Sequence, residues 1–359
     1  MHIFHVVGAR PNFMKLAPVR AALTRVPRAR QTVLHTGQHY DANMSEVFFQ
    51  QLGMPAPDLN LNVGSGTHAR QTADIMTSIE PVIAGDRPDL VLVYGDVNST
   101  VAASLVCAKL GVRIGHVEAG LRSHDRSMPE EINRLVTDQL SDILFTPSAD
   151  ADENLRQEGI PTEKIYCVGN VMIDTLSRLL PACSNHAVPD LPKQYALVTL
   201  HRPSNVDDLP WLDTLLQSLA HLSRDLAVIF PVHPRTRQRI TESGLRENGD
   251  CRLRLMDPQP YLAFLALQRD ATVVITDSGG IQEETSFLGV PCLTMRDNTE
   301  RPITLTKGTN ILVGRDIARM RCEVERILEG IKKPSAPIPL WDGHAAGRIA
   351  DVVASLASH

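Results

Sequence analysis

Short, nearly unbroken apolar runs bounded by turn-forming residues recur along the chain, with helical stretches between them. Ile3–Val7, Thr32–Thr36, Leu90–Tyr94, Arg113–Val117 and Ile143–Thr146 form one series. Tyr195–Thr199, Ala227–Val232, Arg252–Met256, Thr272–Thr276 and Pro291–Thr294 form a second. A strand with one face in water alternates apolar and polar residues, whereas a strand covered on both faces does not. These runs therefore predict parallel sheets flanked by helices. Two such series predict two Rossmann-like, doubly wound α/β domains rather than one large sheet. The segment Pro181–Pro192, rich in proline and short polar residues, reads as a linker between a domain of residues 1–175 and one of residues 190–340. After the proline-rich stretch Lys332–Pro339, a last helix over about residues 344–359 is placed to pack back on the first domain.

The length of 359 residues agrees with two cores. With 43% hydrophobic and 21% charged residues the composition is that of an ordinary globular protein. A net charge of −5 disfavours long-range attraction to nucleic acid or to an anionic membrane, so a site for an anionic ligand has to be built locally. Cys107, Cys167, Cys183, Cys251, Cys292 and Cys322 form no CxxC pair, which suits reduced thiols in the cytoplasm better than a disulfide framework or a zinc site. The N-terminus lacks the basic start and long apolar stretch of a signal peptide, and no run approaches the ~20 apolar residues that span a bilayer.

Open parallel sheets bind ligands beyond the carboxyl ends of their strands, so the residues just past each run are the first candidates for chemistry. Gly8-Ala9-Arg10-Pro11-Asn12-Phe13-Met14-Lys15 follows the first run, with a turn glycine, two cations and a helix start whose backbone N–H groups would face an anion. No GxGxxG fingerprint is present, which disfavours a dinucleotide. Asp96 and Glu118 each stand just past a strand. Alone, either would be an ordinary cap or ion-pair partner; on neighbouring strands they would share one crevice as acid/base candidates. Glu130 and Arg134, in a helix opening at Pro129, have the i, i+4 spacing of one face. His201 and, more weakly, His233 sit at strand ends suited to acid/base work or ligand contact. The strongest local signal is Asp277-Ser278-Gly279-Gly280-Ile281-Gln282-Glu283-Glu284. Its small residues admit a ligand to the backbone, and a helix N-terminus favours a diphosphate. No His/Cys/Asp cluster has metal-ligand spacing.

Three strings occur in order: His116-Val117-Glu118-Ala119-Gly120-Leu121-Arg122, Pro129-Glu130-Glu131-Ile132-Asn133-Arg134 and the Asp277–Glu284 segment. With Gly8-Ala9-Arg10-Pro11 before them and Thr299-Glu300-Arg301-Pro302 after, nearly the whole chain resembles the non-hydrolysing UDP-N-acetylglucosamine 2-epimerase family. The resemblance implies a GT-B-like fold with the substrate in a cleft between the two domains, and a homodimer. It implies catalytic roles for Asp96, Glu118, Glu130 and His201, with Arg10, Lys15 and Arg134 about the sugar and diphosphate. Ser278, Gly279 and Gly280 would hold phosphate, Glu284 the ribose and Arg301 the phosphate or sugar side, with Phe264 near the uracil. Gln38, His39, Arg70, Gln71, Arg202 and His233 match the family's second, regulatory UDP-sugar site, where another UDP-GlcNAc would act as activator. The implied reaction needs no external cofactor: UDP is eliminated across C1 and C2, and a glycal-type intermediate is reprotonated on the opposite face. Departures at Asn12-Phe13 and Pro203-Ser204 bear on the substrate and on the regulatory site, and keep a C2 epimerase of a UDP-diacetamido uronic acid in view; a hydrolysing UDP-GlcNAc 2-epimerase is a separate alternative.

Overall fold

The computed structural model describes residues 1–37, 49, 51–186, 188–242 and 252–356. The chain forms two compact units, one of Met1–Leu176 with Pro339–His359 and one of Ser177–Ile338. In the first unit seven strands are all parallel: β1 His2–Val7, β2 Arg30–His35, β3 Leu59–Asn60, β4 Leu90–Tyr94, β5 Ile114–Val117, β6 Ile143–Thr146 and β7 Ile165–Cys167, in the order β3-β2-β1-β4-β5-β6-β7. The second unit holds six parallel strands: β8 Tyr195–Thr199, β9 Ala227–Pro231, β10 Leu253–Met256, β11 Val273–Thr276, β12 Cys292–Thr294 and β13 Asn310–Leu312, in the order β10-β9-β8-β11-β12-β13.

All ten expected runs form strands, within two residues of the predicted ends. Continuous burial explains their legibility: Leu90–Tyr94 is inaccessible at every residue, as two-sided covering requires. Gly115 in β5 is a packing necessity, since a Cβ there would lie 2.6 Å from Leu92 Cδ2. His5 interrupts the apolar β1 without harm. Its Nδ1 accepts from the Tyr94 hydroxyl at 2.7 Å and its Nε2 donates to Gln31 Oε1 at 3.0 Å, so a neutral ring is satisfied inside the core. The stretch read as a linker is helical at its start. Helix Val171–Cys183 runs through Pro181 and continues as a 3₁₀ turn over Ser184–His186, because a proline in the last turn removes only one ladder bond. The last helix, Ala345–Leu356, belongs to the first unit. Its Ala345 and Ala346 N–H groups donate to Asp174 at 3.0 and 2.7 Å, and it lies against helix Arg10–Leu23.

Strand order reverses between β1 and β4 in the first unit and between β8 and β11 in the second. Connections leave such a pair in opposite directions, which opens a crevice at its carboxyl end. The turns after β1, β4, β8 and β11 are therefore the places where each unit is built to hold a ligand.

Candidate functional site

At the first crevice, Asn12 fills the turn after β1. Its Oδ1 accepts from Gly8 N at 3.1 Å and Ala9 N at 3.0 Å, and its Nδ2 donates to Tyr94 O at 2.8 Å. Asn12 N donates to Ala9 O at 2.9 Å, and Pro11 has no N–H. The amides of Gly8, Ala9 and Asn12 are thus satisfied internally, and the turn also presents side-chain charge. Arg10 is exposed, whereas Lys15 is buried one turn on, with Nζ 2.8 Å from Glu118 Oε2.

Asp96 and Glu118 stand where the sequence placed them, past the paired strands β4 and β5. Each faces its own cation rather than the other acid: Glu118 pairs with Lys15, and Asp96 with Arg134. Glu118 is 5% exposed and has φ +77°, the left-handed region that costs a non-glycine residue roughly 1–3 kcal/mol. The turn is held from outside, since Glu118 N and Ala119 N both donate to Phe145 O, at 3.1 and 3.0 Å. At Gly120, φ is +79° and a Cβ would lie 2.9 Å from the Ala151 carbonyl carbon, so only glycine fits.

Helix Pro129–Leu140 supplies the third group. Glu130 and Arg134 share the i, i+4 spacing of one helix face, but the short bonds of Arg134 run to other acids. Arg134 bonds Glu131, with Nη2 and Nε at 2.6 and 3.0 Å from Oε2, and reaches Asp96. The reason lies outside the helix. Ser123 N, Ser123 Oγ and His124 N donate to the Glu131 carboxylate at 3.0, 3.0 and 2.9 Å, fixing it on the side where Arg134 lies. Burial alone would raise the Glu131 carboxyl; these donors and Arg134 hold it below its ordinary value instead. Glu130 is left half-buried. Asn133 Nδ2 donates to Asp96 O at 2.8 Å, so one helix secures both the backbone and the carboxylate of Asp96.

At the second unit's crevice, Asp277 turns inward. It accepts from His201 N at 3.1 Å, Arg202 N at 2.9 Å and Asn205 Nδ2 at 3.1 Å, and lies 3.0 Å from His201 Nδ1. Burial opposes its ionisation, but His201 and the N–H donors outweigh it and hold the carboxyl low. His201 is thereby oriented with its ring half in solvent. Helix Gly279–Leu288 begins with Ser278 as N-cap and has no side-chain cap, so its first amides are not taken up as those at Gly8 are. The two glycines differ. A Cβ at Gly280 meets nothing within 4 Å, whereas one at Gly279 would strike Arg301 Nη1 and lie 2.6 Å from Glu300 Oε1. Arg301 is buried under the helix start, with Nε 2.7 Å from Glu283 Oε1 and Nη1 bonded to Glu300 Oε1. Arg296 Nη2 holds Glu300 Oε2 at 2.7 Å, and these arginines overcome burial to keep Glu300 far below the usual carboxylate range. One turn further, Glu284 is buried and accepts from the Tyr261 hydroxyl at 2.8 Å. Burial pushes its carboxyl up to about 7. Phe264, on the helix that carries Tyr261, packs against the core cluster containing Ile281.

The residues matched to a second site are scattered in character. Arg70 is exposed and paired with Asp74 at 2.8 Å. Gln71 is buried, donating to Gly64 O at 2.9 Å and accepting from Asn98 Nδ2 at 2.8 Å. His233 is exposed and Arg202 partly so, while Gln38 and His39 lie outside the described residues. Sequence reasoning missed Asn12, Glu131, Asp138, Asp277 and Glu300 as organisers of these turns. A signal was available for Asn12 and Asp277, polar residues in strand-end turns, and for Glu131 and Glu300, each with an arginine within four residues, but not for Asp138, whose partners His116, Gly120 and Arg122 lie on earlier elements.

A pair of parallel, doubly wound sheets, each with polar turns at its switch point, places the protein in the GT-B-like α/β class. Within that class the chain belongs to the UDP-N-acetylglucosamine 2-epimerase family, whose sequence model matches residues 21–354. It is 42% identical over 364 residues to the UDP-N-acetylglucosamine 2-epimerase of Methanocaldococcus jannaschii, covering 98% of this chain and 99% of the relative. It is also 42% identical over 361 residues to the UDP-2,3-diacetamido-2,3-dideoxy-D-glucuronate 2-epimerase of Pseudomonas aeruginosa, covering 99% and 100%. A crystal structure of the M. jannaschii UDP-GlcNAc 2-epimerase in complex with UDP-GlcNAc and UDP superposes with a TM-score of 0.90 at 40% identity, covering 99% of this chain and 100% of that one. Among the described residues, no helix is long and apolar enough to cross a membrane.

Proposed function

We propose that the protein interconverts UDP-N-acetylglucosamine and its C2 epimer, UDP-N-acetylmannosamine. The observation that carries this is the pair of carboxylates on adjacent strand ends, Glu118 against Lys15 and Asp96 against Arg134, in a chain of this family. A base removes the C2 proton, the C–H electrons become the C1–C2 double bond, and the C1–O bond breaks with its electrons leaving on UDP. Protonation of C2 from the other face and re-addition of UDP at C1 complete the inversion. Two faces require two proton positions, which Asp96, Glu118 and Glu130 supply, each worth about 10²–10⁴-fold where well placed. The C2 proton is weakly acidic, so stabilising the departing diphosphate matters as much as the base. The uncapped amides of Gly279 and Gly280, with the Ser278 side chain, serve that end, with His201 oriented by Asp277 and with Arg301 as the buried charge beneath the helix start. Glu284 takes the ribose hydroxyls, Phe264 lies toward the uracil, and Arg10 joins Lys15 and Arg134 about the sugar and diphosphate. Arg70, Gln71, Arg202 and His233 would contribute to a second, activating UDP-sugar site.

A second reading, C2 epimerisation of a UDP-diacetamido uronic acid, is favoured by the equal identity to the P. aeruginosa enzyme. An NMR time course in deuterated water with each sugar nucleotide separates the two. UDP-GlcNAc should acquire deuterium at C2 and yield UDP-ManNAc. The absence of both exchange and a new sugar nucleotide would overturn the proposal. Turnover of the diacetamido substrate alone would support the second reading, and release of free sugar would mark a hydrolysing enzyme.

A further inference from the structure

Behind the turns that carry Asp96 and Glu118 lies a buried charge cluster. Asp138, on the last turn of helix Pro129–Leu140, is fully inaccessible, as is His116 in β5, and Arg122 is 2% exposed. The two carboxylate oxygens of Asp138 are divided among three partners. Oδ1 takes His116 Nδ1 at 2.6 Å; Oδ2 takes Gly120 N at 3.1 Å and Arg122 Nη2 at 2.7 Å. Those partners lie two residues before, two after and four after Glu118. A single carboxylate thus clamps both sides of the turn that forces Glu118 to φ +77°. From the other ring nitrogen, His116 Nε2 reaches the carbonyl of Gly95 at 2.8 Å, in the turn that leads into Asp96. The two ring nitrogens thus each meet an oxygen, one on Asp138 and one in the turn before Asp96. Arg122 is closed off on its far side by Glu158, with Nε and Nη2 at 2.7 and 2.6 Å, which leaves Asp138 as the hub.

We infer that Asp138 is a positioning residue, holding the Glu118 and Asp96 turns in register with each other through His116; this rests on the epimerase reading above. A cluster buried this completely touches no solvent, so its effect on chemistry passes through the two turns. A carboxylate shifted by about 1 Å from the productive position costs about 10²-fold in rate.

The test compares Asp138→Asn, His116→Gln and the wild-type protein by UDP-GlcNAc kinetics and C2 deuterium exchange, with thermal unfolding alongside. Ser141→Ala is the stability control: Ser141 Oγ is buried on the same helix terminus and donates only to Thr137 O, at 2.7 Å. The expected result for a folded Asp138→Asn is a kcat about 10²-fold lower with KM close to wild type, while Ser141→Ala lowers Tm and keeps its kcat. His116→Gln, which leaves the Asp138 bonds to Arg122 and Gly120 in place, should show the same kcat-selective loss and decides the matter if Asp138→Asn does not fold. A kcat within about tenfold of wild type, a loss confined to KM, or a Ser141→Ala kcat that falls with its Tm would overturn the inference. Should the wild-type protein itself show no exchange at C2, the proposed function has failed and the inference falls with it; wild-type exchange with an unaffected Asp138→Asn sinks the inference alone.

Discussion

Glu284 gives the most quantitative test of how the second unit balances stability against binding. It is 4% exposed, one turn into helix Gly279–Leu288, and its side-chain partners, the Tyr261 hydroxyl and Gln268, are both neutral. Burial raises its carboxyl from the ordinary 4.5 to about 7. Because the folded value lies above the unfolded one, the stabilising share is complete below about pH 4.5 and is lost as pH climbs to about 7. Above that, the folded protein carries a buried anion at a cost of about 3 kcal/mol relative to a group that stays neutral. Glu284→Gln keeps an acceptor for Tyr261 and never ionises. It should therefore be more stable than wild type at pH 8, by up to about 3 kcal/mol, and nearly equal to it at pH 5. At roughly 2–4 °C per kcal/mol for a unit of this size, the gain is about 6–12 °C in Tm, read by calorimetry at both pH values. The same change should weaken UDP binding by about 10–100-fold, because ribose hydroxyls donate more strongly to a carboxylate than to an amide; titration calorimetry with UDP measures this. A variant less stable than wild type at pH 8, or a Tm difference that ignores pH, would refute the reasoning.

Gly279→Ala should destabilise the fold, since its methyl group strikes Arg301 and Glu300. Gly280→Ala should hold or raise Tm, by up to about 1 kcal/mol equivalent, while weakening UDP binding; thermal unfolding and UDP titration on the pair check this. Glu118→Gln and Asp96→Asn should each slow C2 deuterium exchange by about 10²–10⁴-fold with UDP affinity kept, and NMR exchange rates at the wild-type level would exclude the residue concerned. Burial holds the His5 imidazole down at about 4, against 6.5 when unfolded. Its contribution to stability is therefore complete above pH 6.5 and lost as pH falls to 4, a span of about 3 kcal/mol. His5→Gln should show a correspondingly flatter acid limb in urea unfolding between pH 7 and 4.5.

The core strands were legible because two-sided burial writes itself as an unbroken apolar run. β3, β7 and β13 were not, being edge strands of two or three residues, with β7 half-buried throughout. Asp96, Glu118, His201 and the Ser278–Gly280 turn were found because strand ends locate sites in parallel sheets. Periodicity could not decide between Glu130 and Glu131 as the partner of Arg134. Both spacings are helical neighbours, and the choice is made by Ser123 and His124, which fold back from a preceding loop. Asp138 reads as an ordinary surface acid for the same reason: His116 and Arg122 sit outside its helix, and only the folded chain brings them to it.

Asp96 and Asp277 occupy equivalent places, each just past the strand beyond the point where its sheet reverses order. One architecture used twice has assigned them opposite work. In the first unit the aspartate remains about a quarter accessible and is presented beside Arg134. In the second it is wholly enclosed, occupied with the amides of the neighbouring turn, and Ser278, Gly279 and Gly280 follow it in place of Val97, Asn98 and Ser99. The duplicated frame thus makes an acid of one position and frees its counterpart's backbone for an anion. A chimaera carrying Ser-Gly-Gly after Asp96 would turn a proton-transfer turn into a second anion cradle without altering a single strand.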